Sequence, residues 1–440
     1  MDSATLLITG ARQLLTMAPP PDGGAKRGGA MAELGIIEDG ALAVRGGRIV
    51  GVGTTPEIRE QFALEPRGSE VEAGGSVVLP AFVDPHTHVL FHGTREWEFE
   101  ERLRGKTYME IAAAGGGIHS SVRMFRDASD EALLTSSLRR MDQMAAYGTG
   151  TVEIKTGYAL DPEQEMRALR LIAELDRRHP LHVVATYLGA HEIPREYRDR
   201  PDDYVDLLVD RMIPEAAALG IAGFADVFCE KGVFSIEQSR RILEAAERHG
   251  LGRKMHADEI EPMGGAELAA EVGAISADHL GRVSDEGIRA MADAGVVAVL
   301  LPGTLFSLGA SSYAPARRLI EAGAAVALAT DCNPGSSMTE SMPWIIALGC
   351  MKMGMTPAEA VCAATYNAAC ALGLQGRKGA LAIGCDADIQ VIEAPSYARF
   401  PYHVGYPDLR DLILGGDVVI RNLHPPALHA VRQRGSGATA

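Results

Sequence analysis

The sequence predicts an α/β fold, a (β/α)8 TIM-like barrel carrying a small β-sandwich domain built from both chain termini. Three observations carry that expectation. The middle of the chain holds eight short apolar runs separated by helix-period patterns, the signature of a parallel barrel. Both ends hold short β signals with hairpin punctuation. A histidine pair, His86 and His88, closes the first of the eight runs, where a barrel of this kind puts its chemistry.

At the N-terminal end, Thr5 to Ile8, Ala41 to Val44 and Arg48 to Val52 read as strands, with Gly46-Gly47 as a two-residue hairpin turn between the last two. Pro19-Pro20-Pro21-Asp22-Gly23-Gly24 reads as a loop without core residues. Asp388 to Ile392 and Asp417 to Ile420 return to strand near the other end, and the polar, Pro/Gly-rich residues from His424 to Ala440 read as a loose tail.

The barrel runs are Val77 to Val83, Thr151 to Ile154, His182 to Thr186, Ala225 to Cys229, Arg253 to Met255, Ala274 to Ala277, Val296 to Leu300 and Ala325 to Ala329. Helix starts between them are marked by Ser129, by Asp161 before Pro162, and by Ser284, residue types whose side chains cap the first turn. The expected partition is 1–78 and 376–440 for the composite β domain and tail, with 79–375 as the barrel. The apolar segment Met342 to Leu348 reads as core packing.

Composition narrows the function class. A hydrophobic fraction of 47% with 23% charged residues is that of a soluble globular protein, and a net charge of −16 argues against nucleic acid as a partner. No apolar run approaches the roughly 20 residues that cross a bilayer, and Met1-Asp2-Ser3 does not open a secretory signal. The expectation is a cytoplasmic protein without membrane contact. The six cysteines show no CxxC spacing and read as small core hydrophobes.

The strand ends are polar in a consistent way. Residues two apart on a strand face one side, so His86 and His88 project together. His256 ends the fifth run, Asp278-His279 the sixth and Asp331-Cys332-Asn333 the eighth. Imidazoles and a carboxylate converging from separate strands suit a borderline divalent ion. Arg95 and Tyr158 at the mouth suggest a small substrate bearing a carboxylate, which a guanidinium grips as a planar fork. The competing reading of Arg95 is a rim ion pair with Glu96 or Glu98, and Glu230 is a conceivable bridge to a second ion.

With the split β domain, the histidine pair, His256 and Asp331 resemble the amidohydrolase superfamily of metal-dependent hydrolases. Within it, Phe82 to His88, Glu153 to Tyr158, Leu188-Gly189-Ala190-His191, Lys254 to Glu259, Ser276 to His279 and Ala329 to Gly335 resemble the imidazolonepropionase family, over about Leu79 to Tyr406. The resemblance implies one divalent or trivalent metal per chain, zinc or iron, held by His86, His88, His256 and Asp331. It implies Glu259 and His279 as the proton-handling pair, and substrate contacts from Arg95, Tyr158, His191, Asn333, Gly335 and Ser336. It further implies a homodimer, and hydrolysis of a cyclic amide, 4-imidazolone-5-propanoate. The alternative within the superfamily is a deaminase or cyclic amidase acting on another small heterocycle.

Overall fold

Eight parallel strands form one sheet in strict chain order in the computed structural model, which describes residues 1–106, 110–111 and 114–423. They are Phe82–Asp84, Thr149–Lys155, His182–Ala190, Phe224–Cys229, Gly252–Ala257, Ser276–His279, Val297–Leu300 and Ala325–Leu328. The sheet curls until its first and last strands meet. There the connection is not a regular ladder, but Asp331 N–H donates to His86 O at 3.0 Å and His88 N–H to Cys332 O at 3.0 Å. The residues just past the first and eighth strands are thereby tied to each other.

The run Val77 to Val83, expected as one barrel strand, is two. Val77–Pro80 pairs antiparallel with Ile389–Ile392 and parallel with Gln13–Leu15, whereas Phe82–Asp84 joins the barrel beside Thr149–Lys155. Pro80 has no N–H to extend a ladder, and Ala81 N–H turns to Asp388 O at 3.0 Å. The chain changes sheets at that point, so the β domain delivers the first barrel strand directly.

The β domain draws on both ends of the chain. A six-stranded sheet runs Asp417–Ile420, Leu409–Leu414, Ile389–Ile392, Val77–Pro80, Gln13–Leu15 and Ile36–Ile37. A four-stranded sheet runs Arg48–Thr54, Gly40–Arg45, Asp2–Ala11 and Phe62–Glu72. Leu6, Ile8, Leu42 and Val44 of the second share a core with Leu14, Val78, Ile389 and Leu412 of the first. Its other face packs Leu7, Ala41 and Ala43 on Ile58 and Phe62 under a short helix, Thr55–Gln61. The Gly46-Gly47 turn forms as expected, with both residues at positive φ. Phe62–Glu72 was not expected: its charges, Pro66 and Gly68 hide the strand pattern, and it is tolerated because it lies on the edge of the sheet.

Helix starts follow the sequence. Ser129 accepts from Ala132 N–H at 3.2 Å, Asp161 from Gln164 N–H at 2.9 Å and Ser284 from Gly287 N–H at 2.8 Å. Met342–Met353 is a helix whose Met342, Ile345, Ile346 and Leu348 are buried, in line with core packing. The turn after Pro20 is exposed, but the chain then docks on the barrel: Lys26 and Asn367 exchange backbone-to-amide hydrogen bonds at 2.9 Å, and Met31 is fully buried. Among the described residues no helix is long and apolar enough to cross a membrane. The expected tail, His424 to Ala440, lies outside the described residues.

Candidate metal centre and its surroundings

His86, His88, His256 and Asp331 leave their strands toward one point at the carboxyl end of the barrel, and all four are buried. Their donor atoms fall into overlapping sets, each within 4.8 Å: His86 with His88 and Asp331, His86 with His256 and His279, and His88 with His191 and His256. Asp331 Oδ1 lies 3.6 Å from His86 Nε2 and 3.5 Å from His88 Nε2. Four residues expected as ligands are therefore brought together, with His191 and His279 at their margin. Asp331 sits at φ +51° and His279 at φ +76°, left-handed backbone that non-glycine residues adopt at a cost.

Buried polar atoms normally find partners. His86 Nε2, His88 Nδ1 and both ring nitrogens of His256 are buried without a hydrogen-bond partner. Burial pushes His86 and His88 well below the ordinary histidine pKa, with the neighbouring cationic and imidazole groups adding to it. Neutral imidazole is the form that binds metal. Burial opposes the charged form of His256 too, but the charge and hydrogen bond of Asp226 outweigh it and raise its pKa. Borderline nitrogen and oxygen donors, with His86 Nε2 and His88 Nε2 both facing Asp331 Oδ1, fit a zinc- or iron-type ion.

A layer of charge lies beneath. His86 Nδ1 meets Asp278 Oδ2 at 2.6 Å and His256 Nδ1 lies 3.0 Å from Asp226 Oδ2. A ring whose Nδ1 faces a carboxylate presents Nε2 outward as a lone pair. Asp331 is fixed on its other oxygen by Thr304 Oγ1, which donates at 2.5 Å, and its backbone carbonyl accepts from Asn333 Nδ2 at 2.7 Å.

Comparison with known proteins fits this geometry. The model of the amidohydrolase family matches residues 77–419, and that of the bacterial imidazolonepropionase-like composite domain matches residues 40–63. The imidazolonepropionase of Symbiobacterium thermophilum is 50% identical over 421 residues, 96% of this chain and 98% of its own. That of Geobacillus sp. is 51% identical over 418 residues, 95% and 98% of the two chains. The chain belongs to the imidazolonepropionase family. Among solved structures, a 5-methylcytosine deaminase from Klebsiella pneumoniae superposes with a TM-score of 0.72 at 16% identity, covering 96% of this chain and 98% of its own. An adenosine deaminase from Xanthomonas campestris gives 0.67 at 18%, covering 98% and 97%. At that identity these two show a shared fold.

Of the residues that the imidazolonepropionase resemblance implies for substrate, Tyr158 and His191 stand beside the same centre. His191 stacks on His88 with ring centroids 4.8 Å apart, and Tyr158 lies 5.5 Å from His191 and 5.8 Å from His88. Burial, aided by His256, drives His191 down to about 3, and burial drives the Tyr158 hydroxyl up. His191 Nδ1 faces Gly157 O at 3.1 Å, so the neutral ring donates there. The loop after the eighth strand is bound into itself: Asn333 Oδ1 accepts from Gly335 N–H and Ser336 N–H, each at 2.8 Å. Arg95, Gly335 and Ser336 line a cavity of about 430 Å³ with Phe99, Arg102 and Met338, whose lining includes neither the four expected ligands nor Tyr158 and His191.

Arg95 makes the ion pair weighed against its substrate role, with Glu98 at 2.8 and 2.7 Å. That pair leaves Nη1 facing Gly335, where an added Cβ would lie 2.3 Å from it. Glu259 Oε2 lies 3.5 Å from His279 Nδ1, and burial followed by the Asp331 charge pushes its carboxyl up to about 8. Asp258 beside it serves structure: its carboxylate accepts four backbone N–H groups, from Met263 to Ala266, at 2.8–3.1 Å. Glu230 likewise accepts from Lys231 N–H and Ile260 N–H at 2.9 Å, and it belongs to none of the ligand sets among the described residues. Cys332 contributes its backbone carbonyl, to His88, while its thiol is fully buried.

Sequence reasoning passed over Asp226, Glu153 and Thr304. The first two carried a signal, a lone carboxylate inside an apolar strand, which is rarely buried without a partner. Thr304 carried none.

Proposed function

We propose that this chain hydrolyses 4-imidazolone-5-propanoate at the ring amide to give N-formimidoyl-L-glutamate in histidine degradation. The observation that carries the reading is the convergence of buried His86, His88, His256 and Asp331 in overlapping ligand sets, with His86 Nε2 and His88 Nε2 both facing Asp331 Oδ1, in a chain of this family. These three with Asp331 would hold one ion, zinc or iron. Once bound, such an ion supplies Lewis acidity and water whose pKa falls from 15.7 to about 7.

Everything else is work for the protein's own groups. Glu259 takes the proton of the attacking water and hands it to the ring nitrogen as the C–N bond breaks, general acid/base work that contributes about 100-fold to 10,000-fold. His279, beside Glu259, stabilises the tetrahedral oxyanion. Arg95 and Tyr158 hold the propionate carboxylate and set the carbonyl carbon against the water. His191, Asn333, Gly335 and Ser336 bracket the ring and chain of the substrate. We further propose the partition 1–78, 79–375 and 376–440, a cytoplasmic homodimer, and no nucleic-acid or membrane partner; net charge −16 supports the last.

The test follows the ultraviolet absorbance of imidazolonepropanoate, generated in situ from urocanate with urocanase. Metal-replete protein should remove it rapidly with formiminoglutamate as product, and chelator-treated protein should not. No acceleration over spontaneous decay by metal-replete protein would shift the reading to another heterocycle.

A further inference from the structure

The Lys155 ammonium is fully buried at the end of the second barrel strand. It lies 2.8 Å from Asp226 Oδ2, 2.9 Å from Glu153 Oε2 and 3.6 Å from Asp278 Oδ2. Asp226 stands on the fourth strand and Asp278 on the sixth, so one side chain crosses the barrel interior to reach both. Those are the two carboxylates that face His256 Nδ1 and His86 Nδ1. Glu153 is itself held, by Thr186 Oγ1 at 2.5 Å and by the second buried ammonium, Lys254, at 3.2 Å.

From this geometry we infer that Lys155 is a positioning residue for the metal centre: it fixes Asp226 and Asp278 together, and through them the rings of His256 and His86. Asp226 has little freedom left, because its Oδ1 also accepts from Val227 N–H at 2.7 Å and His256 N–H at 3.2 Å. Asp278 is held at its other oxygen by Ser276 Oγ at 2.7 Å. Without the ammonium, two buried carboxylates on either side of the fifth strand would each lose their shared cation. They would relieve the loss by turning away, and a displaced carboxylate no longer holds the ring in place. The two ammoniums are not equivalent. Lys254 donates to Pro85 O at 3.0 Å and pairs with Glu153; its charge reaches Asp278, but its ammonium touches neither Asp278 nor Asp226 within ion-pair distance.

The inference rests on the metal-site reading above and is independent of the substrate. Its test compares Lys155→Met with Lys254→Met, after circular dichroism has shown each to be folded. Zinc affinity is measured by chelator competition, and the visible d–d spectrum is recorded with cobalt(II) in place of zinc. Lys155→Met should lose about 10–100-fold in affinity, the range expected when a ligand's outer partner is disturbed, and should shift the cobalt spectrum. Lys254→Met, which removes charge but no direct contact with either carboxylate, should lose clearly less affinity and leave the cobalt spectrum in place. Wild-type affinity and spectrum in Lys155→Met, or an equal loss in Lys254→Met, would overturn the assignment.

Should Lys155→Met not fold, crystal structures of the wild-type protein with and without metal decide the matter. Asp226, Asp278 and Lys155 are expected to keep their contacts when metal is removed, and carboxylates that swing away would sink the idea. A wild-type protein that binds no metal at all would instead remove the metal-site reading itself.

Discussion

Glu98 grips Arg95 through both of its carboxylate oxygens, at 2.8 and 2.7 Å, and one of them also accepts Gly117 N–H at 3.1 Å. The pair is nearly buried, with 9% and 2% of the two side chains exposed. An arginine held this way offers its free edge without losing rotamer freedom again on binding. The ion pair and the proposed substrate contact are thus complementary readings of one residue.

Glu98→Gln should therefore act on substrate affinity. KM is expected to rise about tenfold with kcat changed far less, and Arg95→Ala should raise it further. Gly335→Ala, whose Cβ would meet Arg95 Nη1, should move KM in the same direction. Steady-state kinetics on the three variants checks this, and an unchanged KM in Glu98→Gln would make the pair purely structural.

Thr304→Val should weaken metal binding while leaving the fold intact. The hydroxyl is the hydrogen-bond donor on Asp331 Oδ2, at 2.5 Å, and Thr304 lies on a short helix, Pro302–Ser307, just past the seventh barrel strand. Loss of one such partner costs about 10–100-fold in metal affinity. Chelator competition measures it, with a thermal melt of the metal-free protein as the control.

The sequence made the barrel legible because its eight apolar runs end in chemistry-bearing residues, a pattern that needs no long-range knowledge. His86 and His88 could be paired from strand periodicity alone, and Ser129, Asp161 and Ser284 from capping chemistry. What stayed hidden depends on distance in sequence. Asp226 sits 30 residues from the His256 amide it accepts, and Thr304 sits 27 from Asp331. The division of Val77 to Val83 at Pro80 was readable in principle from the missing N–H, but an unbroken apolar run masked it. The edge strand Phe62–Glu72 has no apolar face of its own to betray it.

Acid should loosen the junction between the two ends of the chain. Asp386 pairs with Arg48 at 3.0 Å, Arg377 at 3.2 Å and Lys378 at 3.1 Å. Burial works to raise its pKa, and these three cations outweigh it, so the carboxyl sits below its ordinary value. A depressed carboxyl contributes stability that is fully present above the unfolded pKa of about 3.9 and is lost as pH falls through the folded value. Asp386→Asn should cost about 1–3 kcal/mol at pH 7 and converge toward the wild type as pH falls through the depressed folded value. Urea unfolding across that range checks both the loss and the convergence.

Glu259 should set the acid limb of turnover. Its carboxyl, pushed up to about 8 by burial and by Asp331, must be ionised to accept a proton. A protonated carboxyl is inert in that role, so activity is lost as pH falls through its pKa and recovers as pH rises. A cation at the neighbouring centre favours the ionised form and moves the limb below 8. The logarithm of kcat/KM for the metal-replete enzyme should therefore climb with unit slope in acid and reach a plateau before pH 8. Glu259→Gln should retain the metal, lose about 100-fold to 10,000-fold in kcat and lose that limb. A variant that kept the same limb at reduced rate would assign the titration to another group, and one that kept wild-type turnover would remove Glu259 from the proton path.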